Sequence, residues 1–416
     1  MPEDRLGEPG VDAIGRSLEV GCMAQTIRVG IVGGGRGWMF AGLFSDFAES
    51  CVAAVAERVP ARLAAVGGTH PEARLFSDYR AMLAEAELDA VVVASDPPSH
   101  AQHVVMALEA GKHVLSEVPA SFTAKGHLQV LETAAGTGRI YMLAENACYW
   151  GFVQEWKRLY EAGELGEVSY GEAEYLHDMN RSHYTDENGT PRPHEDADAP
   201  GVSPNWRAQM HPILYLTHSL GPLLWVLRDR CVSVSCQATP ANRDPECGSP
   251  DLEAALFRTA AGRVLRIVCG FNVTHPTGHR VALFGSAATA VWRRSSADEG
   301  MMRRAEDDAR TWTSMPWTIE QEDGLEEARA SRHGSAAWHV ARSFLDAVLT
   351  GEQPALGVHR AMDISLPGVC AAISAERHGE LIIIPDTRKA TELAEWRRHA
   401  YAEPWPLGSA WRATRS

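Results

Sequence analysis

The sequence predicts an α/β N-terminal domain on a doubly wound parallel sheet, followed by an α+β domain with a mostly antiparallel open sheet. Three observations carry this. Up to about residue 150, short apolar runs alternate with helical patterns, as strands joined by crossover helices do. The first run, IRVGIVG at 27–33, ends in a glycine cluster and passes straight into a helical pattern. Beyond residue 230, strand-like runs follow one another in series.

Residues 27–33 read as a buried parallel strand. A helix over 38–49 follows, then an apolar strand at 51–56 that ends at Glu57. An alanine-rich helix, a short strand around Phe76 and a helix at 79–87 come next. DAVVVAS at 89–95 is the clearest strand, and residues 100–110 form a helix closed by Gly111. A strand at 113–116, a helix at 125–136 and a strand at 139–144 complete the alternation. After residue 150 the reading is a helix at 152–162, a strand at 168–177 and a helix starting near Ile213. Strands follow at 232–239, 252–259, 263–272, 280–285 and 289–293, with a hairpin turn at 260–262. Helices at 336–349 and 360–377 close the domain, the second kinked at Pro367. Two polar stretches interrupt the pattern. Residues 181–205 read either as solvated loop or as a lid, since candidate site residues flank them. Residues 294–334 read as solvated loop.

The resulting organisation is an extension at 1–26 (read as flexible), a dinucleotide-binding domain at 27–150, a substrate and oligomerisation domain at 151–385 and a tail at 386–416 packed back on them. A chain of 416 residues exceeds what one core supports, so two domains are expected. Net charge is −15, which disfavours nucleic acid and anionic membrane as partners. No apolar run reaches the length of a membrane span, and residues 1–26 lack the apolar segment of a signal peptide. The eight cysteines have no paired spacing, and Cys51, Cys269 and Cys370 sit in apolar runs, so they read as reduced, buried and structural. Together these predict a cytoplasmic location.

VGIVGGGRGW places Gly33, Gly35 and Gly37 between strand and helix, with Arg36 and Trp38 among them. The spacing departs from GxGxxG, because Trp38 holds the third position. The context still predicts a dinucleotide site: glycine lets backbone N–H groups approach a pyrophosphate, and the helix N-terminus favours the anion. Glu57 ends the second strand, where a carboxylate accepts hydrogen bonds from ribose hydroxyls and repels a 2′-phosphate. NAD is therefore expected over NADP, with Arg58 moderating the preference. Ser95, Pro97 and His100 follow the third long strand, and Glu117 and Pro119 follow the next, all at the edge where such sheets bind ligands.

Taken in order, GIVGGGRG, DAVVVASDPPSH, EAGKHVLSEVP, the helix near 336–351 and the closing LIIIP resemble the Gfo/Idh/MocA oxidoreductases over residues 25–385. Most dehydrogenases of that family carry Glu-Lys-Pro where this chain has Glu117-Val118-Pro119. EVPA at 117–120, ENACY at 145–149, YLHD at 175–178 and YLTHSLGP at 215–222 are similar to the branch containing the NAD-dependent α-N-acetylgalactosaminidases (glycoside hydrolase family 109). The resemblance implies a homodimer or homotetramer joined through the C-terminal sheet. It implies a reaction site lined by Glu145, Tyr149, Tyr175, His177, Tyr215 and His218, with Glu145 and Asn146 near the cofactor.

Tyr175 and His177 alternate on one strand and share a face. Tyr215 and His218 are three apart at a helix start and share one too. Two phenols and two imidazoles suit proton handling, since histidine titrates near neutrality and a tyrosine beside a cation loses its proton more readily. The expected chemistry is removal of a hydroxyl proton by His218 with Tyr215, coupled to hydride transfer from a ring carbon of a sugar-like substrate. It stops there, or continues through elimination and water addition to a net glycoside cleavage. A nucleotide-binding protein without catalysis is the third possibility. Trp206 and Arg207 read as a substrate clamp, His100 and His103 also as helix-start residues. His183 and His194 match no metal-ligand spacing, so no metal is expected.

Overall fold

The computed structural model describes residues 26–179, 182–276, 278–293, 299–321, 326–331 and 334–400. Most of the 1–26 extension, Cys22 and the end of the tail lie outside the described residues.

The first sheet comprises β1 (Ile27–Val32), β2 (Ser50–Ala56), β3 (Arg74–Phe76), β4 (Ala90–Val93), β5 (His113–Ser116) and β6 (Tyr141–Leu143), in the order β3-β2-β1-β4-β5-β6. Every pairing is parallel. The crossovers are α1 (Gly37–Asp46), α2 (Pro60–Thr69), α3 (Tyr79–Glu85), α4 (His100–Glu109) and α5 (Ala124–Thr137). Helices on both faces explain why β4, AVVV, is buried throughout. Cys51 departs from expectation: it is exposed on β2, because burial alternates at that strand's start.

The second sheet is mixed. After α6 (Gly151–Glu161) come β7 (Val168–Leu176), the short strands β8 (Tyr184–Thr185), β9 (Pro191–Arg192) and β10 (Ser203–Pro204), and α7 (Thr217–Leu227). Then follow β11 (Cys231–Ala238), β12 (Leu252–Thr259), β13 (Val264–Gly270), β14 (Gly278–Gly285), β15 (Ala288–Arg293), β16 (Glu299–Arg304) and β17 (Thr313–Met315). The chain continues through α8 (Glu326–Ala330), α9 (Ser335–Thr350), α10 (Val358–Glu376), β18 (Ile382–Ile383) and α11 (Ala390–Ala400). Nine strands run β17-β16-β15-β14-β7-β13-β12-β11-β18; only β7 and β13 pair in parallel. On β12 buried and exposed residues alternate, the mark of a sheet covered on one face. The expected hairpin joins β12 to β13 with Gly262 at φ +84°.

Two sequence expectations change here. The stretch 294–334 is not all solvated loop: β16 and β17 extend the sheet, and Met302 and Trp317 are buried, Trp317 edge-on to Trp156 at 5.5 Å. The stretch 182–205 forms a three-stranded sheet, β10-β8-β9. Pro367, where a kink is expected, lies inside α10, which runs on to Glu376. That helix ties the two sheets together. Ser365 Oγ accepts the Ala120 N–H at 3.0 Å and lies 2.9 Å from His127 Nε2, and the Leu143 N–H donates to the Leu356 carbonyl. In the tail, α11 packs on α5, where Arg397 pairs with Glu132.

Candidate active site

A cavity of about 1140 Å³ opens at the carboxyl ends of β1, β2 and β4 and reaches the second sheet. The glycine turn forms its first wall. At Gly33, φ is +100° and a Cβ would sit 2.3 Å from the Ala94 carbonyl oxygen, so neither backbone conformation nor space admits a side chain. Gly37 meets a different constraint. A Cβ there would lie 2.7 Å from Ile31 Cγ2, so this glycine lets α1 lie close on β1. It thus performs the packing role of the third glycine one position early. Trp38, expected at the cofactor, instead is 51% exposed and donates to Thr69 Oγ1 outside the cavity.

Glu57 is buried at the end of β2, accepting the Gly34 N–H at 2.6 Å and the Val59 N–H at 2.7 Å. It fixes the turn and presents its carboxylate to the cavity. Arg58 lines the cavity but is exposed and pairs with Asp96 at 3.4 Å. Ser95 and Pro97 line the same edge, with Ser77 to Arg80 and His103, which the sequence reading placed outside the site. His103 Nδ1 lies 2.9 Å from Ser95 Oγ, and burial lowers its pKa to about 4. His100 borders the cavity, but both ring nitrogens are taken, 2.8 Å from the Pro119 and the Ser95 carbonyl oxygens. It pins two loops rather than offering a free cofactor contact. A glycine turn that admits no side chain at Gly33, a carboxylate at the second strand's end and a long cavity between them fit a dinucleotide.

At the far end lie Tyr175, Tyr215 and His218. Tyr175 stands on β7, Tyr215 in a helical turn over 212–215, and His218 on the first turn of α7. The rings of Tyr175 and Tyr215 stack with centroids 6.0 Å apart, and His218 lies 5.5 Å from Tyr175 and 5.8 Å from Tyr215. His218 Nδ1 is 2.7 Å from Glu145 Oε1, which also accepts the Ala147 N–H at 3.0 Å. Glu145 is fully buried. It therefore sits behind His218 and, like Asn146 and Pro119, outside the cavity lining. Burial alone would lower the His218 pKa, but Glu145 outweighs it and the net shift is upward. Burial raises both phenols well above the ordinary tyrosine range, although Arg207 pulls the other way. This runs against the expectation of easily ionised tyrosines: burial holds both phenols in the neutral form.

His177 stands 4.2 Å from Tyr175 on the same strand face but does not line the cavity. His279 on β14, absent from the sequence reading, packs on Tyr175 at 4.9 Å and on His177 at 5.6 Å. Tyr149 is a correction. Its hydroxyl donates to Ser343 Oγ at 3.1 Å and its ring stacks on His339, away from the cavity. Trp206 stacks on Tyr215 at 5.7 Å, with the Arg207 guanidinium over its indole, and both line the cavity. Met179, Ser182, Asp186 and Gly189 line it too, and Arg62 of α2 donates to the Gly189 carbonyl. The polar segment after β7 thus covers the glycine-turn side of the cavity. Arg36 bridges the two ends, donating from Nε to Glu117 Oε1 at 2.8 Å. Among the described residues no group of three His, Cys, Asp or Glu side chains is arranged to hold a metal ion, and no helix is long and apolar enough to cross a membrane.

Residues 27–145 match the family described as "Oxidoreductase family, NAD-binding Rossmann fold", and residues 153–291 match "GFO/IDH/MocA C-terminal domain". The chain is 30% identical to "Glycosyl hydrolase family 109 protein 2" of Phocaeicola vulgatus, over 50% of this chain and 54% of that protein. It is 28% identical to an "Alpha-N-acetylgalactosaminidase" of Bacteroides fragilis, over 36% of this chain and 34% of that one. The chain thus spans about half and about a third of these curated relatives. Its fold is similar to the crystal structure of an oxidoreductase domain protein from Kribbella flavida. The TM-score is 0.71 at 18% identity, covering 87% of this chain and 100% of that one.

Proposed function

Because the chain belongs to the Gfo/Idh/MocA oxidoreductase family, we propose that it is an NAD-dependent enzyme that oxidises a ring hydroxyl of a sugar or sugar-like glycoside. The observation that carries this reading is the Glu145–His218 pair opening on a cavity whose other end is the glycine turn. When bound, NAD supplies a hydride acceptor. Gly33, Gly35 and Glu57 would hold it.

The chain's own part is proton management. Glu145 takes the Nδ1 proton of His218 as a hydrogen bond, which leaves Nε2 as the acceptor for a substrate hydroxyl. The imidazolium formed then lies against a buried carboxylate, so accepting the proton is favourable. Tyr175 and Tyr215, neutral and stacked, donate to the substrate oxygen as it becomes a carbonyl. Trp206 offers an apolar face for a sugar ring. Mixing enzyme, NAD and a panel of sugars tests this reading: accumulation of NADH supports it, and its absence with every sugar sinks it.

A second reading has an observation of its own. Tyr175 has His177 and His279 against its ring, a place for a second proton to go. A base there would remove the C–H proton acidified by the new carbonyl, the leaving group would depart from the next carbon, water would add, and the hydride first removed would return to the carbonyl carbon. The curated relatives' names favour this redox-neutral outcome. Tyr175→Phe separates the two. On the redox-neutral route, leaving-group release and deuterium entry from heavy water fall about 10²-fold, far more than the initial oxidation, where Tyr215 still donates to the substrate oxygen. An unchanged release rate removes Tyr175 from that route.

Glu57→Gln checks the cofactor end. The amide keeps the volume of Glu57 but loses charge-assisted hydrogen bonding, so NAD affinity falls about tenfold and the preference over NADP narrows. Titration of both dinucleotides reads this directly. Leu256 and Val264 remain exposed on the open side of the second sheet, which supports association of copies through that face; light scattering measures the resulting mass.

A further inference from the structure

We infer that the substrate is a sugar acid and that Arg207 binds its carboxylate. This rests on the reading above for what reacts, and adds what is recognised. Most cationic side chains lining the cavity already have partners. Arg36 is paired with Glu117 at 2.8 Å, His218 with Glu145 at 2.7 Å and Arg58 with Asp96 at 3.4 Å. The Arg62 guanidinium donates to the Gly189 carbonyl and lies beside Gly35, at the glycine turn where a dinucleotide's phosphates would meet it. Arg207 is different. It is half-buried, and its backbone N–H donates to Asn205 Oδ1 at 2.9 Å. Its guanidinium lies over the Trp206 indole with Cζ 4.1 Å from the ring centroid. Among the described residues no carboxylate pairs with it. Arg80 also lines the cavity unpaired, but it is exposed beside Tyr79, where water solvates it.

An indole face steadies a cation without neutralising it. The nearby phenols do not neutralise it either, because burial keeps Tyr175 and Tyr215 protonated. A cofactor and substrate filling the cavity would strip water from Arg207 and leave an uncompensated cation, which is costly. A carboxylate on the substrate removes that cost. The guanidinium's planar fork of N–H groups matches a carboxylate in two parallel hydrogen bonds, a geometry that a hydroxyl cannot reproduce. Trp206, which supports Arg207, also stacks on Tyr215. Anion recognition is therefore linked by direct contact to the reacting end.

Calorimetric titration of the NAD-loaded enzyme with D-glucuronate and D-galacturonate, each against D-glucose and D-galactose, tests this. At least one uronate should bind roughly 10- to 100-fold more tightly than its neutral hexose. Arg207→Gln should erase that margin with NAD affinity unchanged, and Arg207→Lys should keep part of it. Equal binding of acid and neutral partner, no uronate binding at millimolar concentration, or a margin that survives Arg207→Gln overturns the proposal. So does a matching loss of NAD affinity in Arg207→Gln, which would assign the guanidinium to the cofactor's phosphates. Binding is read without turnover. A chain that binds uronate but never forms NADH fails the reaction reading alone, and one that binds and oxidises neutral sugars equally well fails this proposal alone.

Discussion

Replacing His218 by Gln should lower kcat/KM for the sugar substrate by about 10³-fold, roughly 4 kcal/mol of barrier, with NAD affinity unchanged. The size follows from the role. A general base contributes that order of rate, and glutamine has the length to reach Glu145 Oε1 but no basic nitrogen to receive a proton. Glu145→Gln gives the diagnostic companion result. The carboxylate 2.7 Å from Nδ1 raises the His218 pKa, against the lowering effect of burial. A base works only when deprotonated, so wild-type activity rises with pH through that raised pKa. In Glu145→Gln the Coulombic support disappears, burial dominates, and the rising limb moves to lower pH while kcat falls because the imidazolium is no longer stabilised. A purely structural Glu145 would leave the limb where it was. The pH profile of kcat/KM in the two variants therefore decides between a working dyad and a packing contact.

The parts of this site that the sequence made legible are those set by local pattern. A run such as AVVV that no water can touch, followed by Ser95-Asp96-Pro97, announces a central parallel strand and the loop at its carboxyl end. The alternation in Tyr175-Leu176-His177 puts two rings on one face, 4.2 Å apart. Even the irregular glycine spacing is intelligible, since Gly33 answers to backbone conformation and Gly37 to the Ile31 side chain. What escaped was set by distant partners. His279 reaches Tyr175 only because β14 pairs antiparallel with β7, which local pattern does not specify. Tyr149, in the middle of a motif shared with the site, is turned away by Ser343 and His339, nearly two hundred residues on. The polar stretch after β7 reads as loop by composition. It covers the cavity because Arg62, 127 residues earlier, holds Gly189.

The largest stability effect should come from His211, outside the cavity but at the root of the segment that carries Tyr215. Its Nδ1 lies 2.8 Å from Glu253 Oε1 and its Nε2 3.3 Å from Glu376 Oε1, while the Ile213 N–H donates to Glu253 Oε2 at 2.9 Å. Glu253 is fully buried. Burial would lower the His211 pKa, but the two carboxylates outweigh it and raise the pKa from 6.5 to about 10. His211→Gln leaves Glu253 without a cation in the core, a loss of about 3–5 kcal/mol, to be measured by denaturant unfolding at pH 6. The pH dependence has a definite sign. A folded-state pKa above the unfolded one gives stabilisation that is complete below pH 6.5 and disappears as pH rises toward 10. Wild type should therefore lose stability over that interval relative to His211→Gln, and the gap between them should narrow by pH 9. Glu376→Gln, which removes only the more exposed carboxylate, should cost less and keep the same trend. If the gap is small at pH 6, or constant across the interval, His211 is not the buried cation that anchors Tyr215. The stacked pair of phenols would then owe its position to α7 and Trp206 alone.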